Sequence, residues 1–179
     1  MKKFLFLILS LPVIGMAQTK TVVSSNRLFA KNDKIIEFEK ALANHAQKYH
    51  TGDVTWRVWS IQSGPDAGGY MVTEGPTTWA TLDSRADISA EHTADWDKNV
   101  MPLTEGRGQR GYYDFQADLS TVQLTDYADK IVITHMTANP GKIIDIKALI
   151  QKLQKVWMAD GQSVAVYSIV SSGEPGFIT

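Results

Sequence analysis

The chain has 179 residues, a formal net charge of −1, 44% hydrophobic and 9% aromatic residues, and no cysteine. That charge argues against a general nucleic-acid binder, which needs a basic face to neutralise phosphates, and the composition is that of a foldable globular chain. Without cysteine there are no disulfides, thiolate metal sites or cysteine nucleophiles, so a hydrophobic core must hold the fold.

Met1-Lys2-Lys3 is a short basic start, residues 4–15 are mostly apolar, and Gly15-Met16-Ala17 supplies small residues at −3 and −1 of a cleavage site. The run is too short for a comfortable membrane span, and Pro12 interrupts it. Residues 1–17 are therefore read as a cleaved secretory signal. The mature chain from Gln18 is then exported, periplasmic or secreted, and soluble, with no membrane span.

Residues 22–30 read as a first strand, and Asn32-Asp33 offers a cap for a helix running through about His50. Its inward stripe is Phe38, Leu42, His45 and Tyr49, at i, i+4, i+7 and i+11. Residues 54–62 form a second strand, 64–69 a Gly-Pro hairpin loop, and 70–74 the partner strand stopped by Gly75-Pro76. A second helix is predicted over about 86–100, with Ile88, His92, Trp96 and Val100 at spacings of four. Residues 111–119 are the fourth strand. The run from Gly106 to Gly111 lacks the Walker Gly-Lys-Ser/Thr ending and reads as a flexible loop between helix and strand.

An offset of 108 residues places 34–38 over 142–146 and Trp59-Ser60-Ile61 over Tyr167-Ser168-Ile169; eight of 35 consecutive pairs are identical, where average residue usage gives about two. The second copy then reads as strand 130–138, helix 141–159, strand 163–171 and a last strand beginning at Phe177. The expected organisation is a first unit over 18–124 and a partial second repeat over 125–179. Stopping inside a hairpin leaves an edge unpaired, so the chain is expected to be a fragment or to be completed by another subunit.

The order βαββαβ predicts the ferredoxin-like α+β sandwich, an antiparallel sheet with both helices on one face. Two such units, each with a long first helix and a Gly-Pro-rich hairpin, resemble the dimeric α+β barrel superfamily and its antibiotic-biosynthesis-monooxygenase-like group. The resemblance implies sheets that face each other to make a barrel, within one chain or by self-association through sheet faces. Its members include cofactor-independent oxygenases, haem-degrading enzymes, isomerases and proteins without known activity, and fold does not select among them.

His45 and His92 are the most informative residues, each on an inward apolar stripe; His45 stands where the second copy has Leu153. Such a histidine is a general base, a haem or metal ligand, or a neutral core ring with hydrogen-bonded nitrogens. His45 and His50 are five apart and do not share a helix face. His92 and Asp95, at i, i+3, could hold a metal, but nothing else in the sequence completes a set, and Asp95 and Asp97 read as a solvated face. No metal site is assigned.

The resemblance further implies roles for Asn26 and His92. Haem-degrading members use a first-strand asparagine and a second-helix histidine, which these match by element, and a third-strand tryptophan whose place falls near Thr73. Arg57 and Trp59 share one face of the second strand, and Arg57 could orient an anionic ligand or stack at the surface. The resulting expectation is a protein that binds a small apolar or anionic ligand between sheet and helices, lined by His45, Arg57, Trp59, His92 and Trp96. The alternatives are a monooxygenase, with or without haem, and an interaction module. No cofactor is required by the first reading.

Overall fold

A nine-residue strand, β1 (Val22–Ala30), lies at the centre of the first unit. The computed structural model describes residues 19–84, 88–171 and 175–179. The proposed signal over 1–17 lies outside the described residues, as does the expected start of the second helix at 86–87. Among the described residues, no helix is long and apolar enough to cross a membrane.

After β1 come α1 (Ile35–Tyr49), β2 (Trp56–Ser60), β3 (Tyr70–Thr77), the short α2 (Trp79–Ser84), α3 (Ala90–Asp95) and β4 (Thr104–Phe115). The second unit has β5 (His135–Thr137), α4 (Ile143–Ala159), β6 (Tyr167–Ser171) and β7 (Gly176–Ile178). All pairings are antiparallel, and the sheet order is β2-β3-β1-β4-β6-β7-β5. The first four strands follow the ferredoxin-like order, and β6-β7-β5 repeats β2-β3-β1. The two units join edge to edge through β4 and β6 into one seven-stranded α+β sheet.

The helices lie on one face because their apolar stripes match it. Phe38 and Leu42 of α1 pack with Leu28, Tyr70, Val72 and Trp56, and Val100 and Trp96 close the cluster. In the second unit Ile146 and Ile150 of α4 pack with Val166, Phe177, Met136 and Leu119. The opposite face carries Ser25, Arg27, Arg57, Trp59, Met71 and Thr73. This face curls: Arg57 on β2 stacks on Tyr127 at 3.3 Å and also acts on Tyr167 of β6, four strands along the sheet.

Several elements differ from expectation. The strand expected over 130–138 forms only over His135–Thr137, and the fourth strand ends at Phe115 instead of 119. β3 continues through Gly75-Pro76 to Thr77. The glycine-rich stretch from Gly106 is strand, not loop: a Cβ on Gly108 would come 2.6 Å from the Arg27 carbonyl oxygen, so glycine is what lets β4 approach β1. The second helix is broken. Trp79–Ser84 forms one turn behind Thr78, whose hydroxyl accepts from Thr81 N; α3 starts after Ser89, whose hydroxyl accepts from His92 N, and runs into a π-helical turn, Trp96–Val100.

Ile150 is fully buried and Ile144 is 76% exposed on the same helix. Ile150→Ala is expected to lower unfolding free energy in urea by about 2–5 kcal/mol, and Ile144→Ala by no more than about 0.5 kcal/mol.

Candidate functional site

α1 stops at Tyr49, and His50 has left helical geometry at φ −110°, ψ 69°. Its ring therefore turns back beneath the helix, stacks on Trp56 with centroids 3.4 Å apart, and stands 5.3 Å from the ring of His45. The spacing argument against His45 and His50 meeting fails for this reason: a separation of five puts two side chains on different faces only if both residues are helical. From α3, His92 reaches the same place, its Nε2 3.2 Å from His50 Nε2 and its ring 4.8 Å from that of His45. One ring nitrogen from each histidine falls within 4.8 Å of the others.

Two carboxylates stand behind the cluster. Asp95, expected on a solvated face, instead accepts a 2.7 Å hydrogen bond from His45 Nδ1 through Oδ2, and Oδ1 accepts from Asn99 at 2.8 Å. The aspartate is drawn inward because it sits one turn from His92 on the α3 face that meets α1. Glu74 of β3 accepts from Trp56 Nε1 at 2.7 Å and lies 3.4 Å from His50 Nδ1. A carboxylate can only accept, so Asp95 fixes the proton of neutral His45 on Nδ1 and leaves Nε2 bare. That Nε2 is buried and has no hydrogen-bond partner.

Burial lowers the His45 pKa more than the bond to Asp95 raises it, and His92 and His50 push it the same way as burial. The Asp95 carboxyl is held below its ordinary value, chiefly by that same bond. His45 is thus neutral at pH 7.

Beside the cluster is a cavity of about 550 Å³ between the sheet and α3. Ser24 and Asn26 of β1, Val72 and Glu74 of β3, Trp56 of β2, and Arg110 and Tyr112 of β4 line its sheet side; Leu82, His92, Thr93 and Trp96 line the helix side. Asn26 Oδ1 accepts from Arg110 Nε at 3.2 Å. The structure therefore brings Asn26, His92 and Trp96 to one cavity, with His45 buried behind His92. It does not bring Arg57 or Trp59 there. Both lie on the curled opposite face, because β2 directs Trp56 to the helices and its odd-numbered residues away; Trp59 Nε1 is buried without a partner. The third-strand position Thr73 also faces away from the cavity, and the indole on its wall is Trp56 of the neighbouring strand.

Glu74, Trp56 and Arg110 were not picked out by sequence reasoning, and His50 and Asp95 were weighed there as metal ligands and set aside. Period-two alternation places Glu74 with Val72, and Arg110 with Tyr112, on the helix side. That signal was available for Glu74; for Arg110 it was hidden once its stretch had been read as a loop.

Neither a scan against protein-family models nor a search of curated proteins finds a match. Among solved structures, a protein from Fusobacterium nucleatum provisionally named a monooxygenase superposes with a TM-score of 0.61 at 12% identity, covering 90% of this chain and 75% of that one. A provisionally named antibiotic biosynthesis monooxygenase from Caulobacter crescentus matches 53% of this chain and 90% of its own, at 20% identity and a TM-score of 0.40. Another, from Nitrosomonas europaea, matches 55% and 93%, at 17% identity and 0.42. The chain has the ferredoxin-like α+β fold, shared over most of its length with the Fusobacterium protein, and at these identities the likeness concerns fold alone.

A neutral buried histidine makes stability pH-dependent. Because the folded-state pKa of His45 lies below the unfolded value near 6.5, the folded state takes up fewer protons than the unfolded state as pH falls, so stability is complete above about 6.5 and is lost below it. In chelator-treated protein, Tm is expected to fall as pH drops from 7 to 5. His45→Leu, which copies Leu153, is expected to fall less steeply; parallel curves would contradict this.

Proposed function

We propose that the chain is a small-molecule-binding protein of the antibiotic-biosynthesis-monooxygenase-like α+β type, with its ligand in the cavity between the sheet and α3. The observation that carries this reading is the make-up of the cavity wall. Trp56, Trp96 and Tyr112 offer flat apolar surface, while Arg110 with Asn26 offers a directional polar end. This suits a small, largely apolar ligand bearing an anionic group, which the guanidinium would orient. Arg110 takes the part first given to Arg57, which stacks on Tyr127 instead. The amino-terminal run supports an exported location, and the 108-residue offset supports two units over 18–124 and 125–179.

A second reading, oxygenase chemistry on the bound ligand, is favoured by Asn26 and His92 sharing the cavity wall. Haem is the cofactor that the resemblance attaches to it, with His92 as axial ligand. The residues do not fit that group: His92 Nε2 lies 3.2 Å from His50 Nε2, so the nitrogen that iron would take is aimed at another imidazole. The second reading is therefore taken without haem.

Both readings are tested by titrating aromatic carboxylic acids and their neutral amides while following indole emission. Acids are expected to bind, and Arg110→Ala to weaken them about tenfold, or about 1.4 kcal/mol, with little change for the amides. Absence of any response from either series would contradict the binding reading. Oxygen uptake with a bound ligand, lost in His92→Ala, would favour the second.

A further inference from the structure

The geometry points to a metal centre at the inner wall of this cavity, in which His45, His50 and His92 hold one divalent first-row transition ion through three imidazole nitrogens. Three of the four histidines in the chain meet here, with one nitrogen from each within 4.8 Å of the others. Two nitrogens bound to one tetrahedral ion at about 2.0–2.1 Å stand about 3.3 Å apart. Nε2 of His50 and Nε2 of His92 are 3.2 Å apart. The third nitrogen needs to close by no more than about 1.5 Å to complete the set.

Three further observations support a site over a chance cluster. His45 is 1% exposed, and its Nε2 has no hydrogen-bond partner. A bare buried acceptor is costly, and a bound cation removes that cost. Next, the cluster has a carboxylate of the kind that metal-ligating histidines use as outer shell, Asp95 on His45 Nδ1 at 2.7 Å, and Glu74 stands 3.4 Å from His50 Nδ1 without a hydrogen bond. Finally, the 108-residue offset gives the second unit Leu153, Met158 and Val164 in place of His45, His50 and Trp56. The core of that unit, to which Val164 belongs, packs helix on sheet without a histidine, so such packing does not itself call for imidazoles.

Imidazole nitrogens select zinc, copper, nickel, cobalt or ferrous ions over calcium or magnesium. Three protein ligands leave at least one coordination position, and His50 and His92 line the cavity, so that position opens where a small ligand or water would sit. The site stands whether or not the cavity takes an organic ligand.

The test is titration of untagged, chelator-stripped full chain with Zn²⁺ or Co²⁺ alone, read by calorimetry, by the visible ligand-field bands of cobalt, and by Tm. One ion per chain is expected, with a raised Tm and the strong absorption of low-coordinate cobalt. His45→Leu is expected to weaken binding by at least about 100-fold, and Asp95→Asn, which keeps all three ligands, by about 10–100-fold. If His45→Leu does not fold by circular dichroism, His92→Gln is read in its place. A wild-type chain that binds no ion, or a ligand variant that binds it as tightly as wild type, overturns the proposal.

Discussion

The 2.7 Å hydrogen bond from His45 to Asp95 joins α1 to α3, and the character of the candidate site follows from it. It ties a buried side chain on one helix to a partly exposed carboxylate on the other, and Tyr49 adds a second link by donating its hydroxyl to the Glu91 carbonyl at 3.2 Å. The carboxylate can only accept, so the bond sets the tautomer of neutral His45 and leaves it a bare, buried nitrogen in the cluster with His50 and His92. Burial resists charging the ring more strongly than the aspartate favours it. The pair is accordingly a neutral imidazole on a carboxylate, which suits metal ligation and carries a cost when the pH falls.

The molecule contains its own control. β2-β3-β1 with α1, and β6-β7-β5 with α4, are the same arrangement built twice and joined through β4 and β6. In the second copy the helix meets the sheet through Ile146, Ile150, Val164, Val166 and Phe177. In the first, Phe38 and Leu42 do the same work at one end, and the other end is given over to three imidazoles, two indoles and two carboxylates. Polar groups at that density are costly unless each is partnered. That cost is why the unpartnered Nε2 of His45 carries more weight than the count of histidines.

Much of the scaffold could be read from residue spacing. The stripe of Phe38, Leu42 and His45 is buried as predicted, because a 3.6-residue period is a geometric property of a helix. Strand order followed from the alternation of elements. Glycine misled: Gly106 to Gly111 looked like a loop, but the missing side chain of Gly108 is what lets two strands come together. Of the site, Asn26, His92 and Trp96 were found by element and period. His50 was missed because its position depends on where α1 ends, and a single residue's departure from helical geometry reverses the direction of its ring. Asp95 was missed because its partner is 50 residues away on another helix, which no local pattern records.

The protonation state of His45 is the point on which the site rests, and ¹⁵N-detected NMR of histidine-labelled, metal-free protein at pH 7 reads it directly. The His45 ring is predicted to be neutral, with its proton on Nδ1 and the shift of a bare nitrogen at Nε2. A proton on Nε2, or a charged ring, would contradict the account.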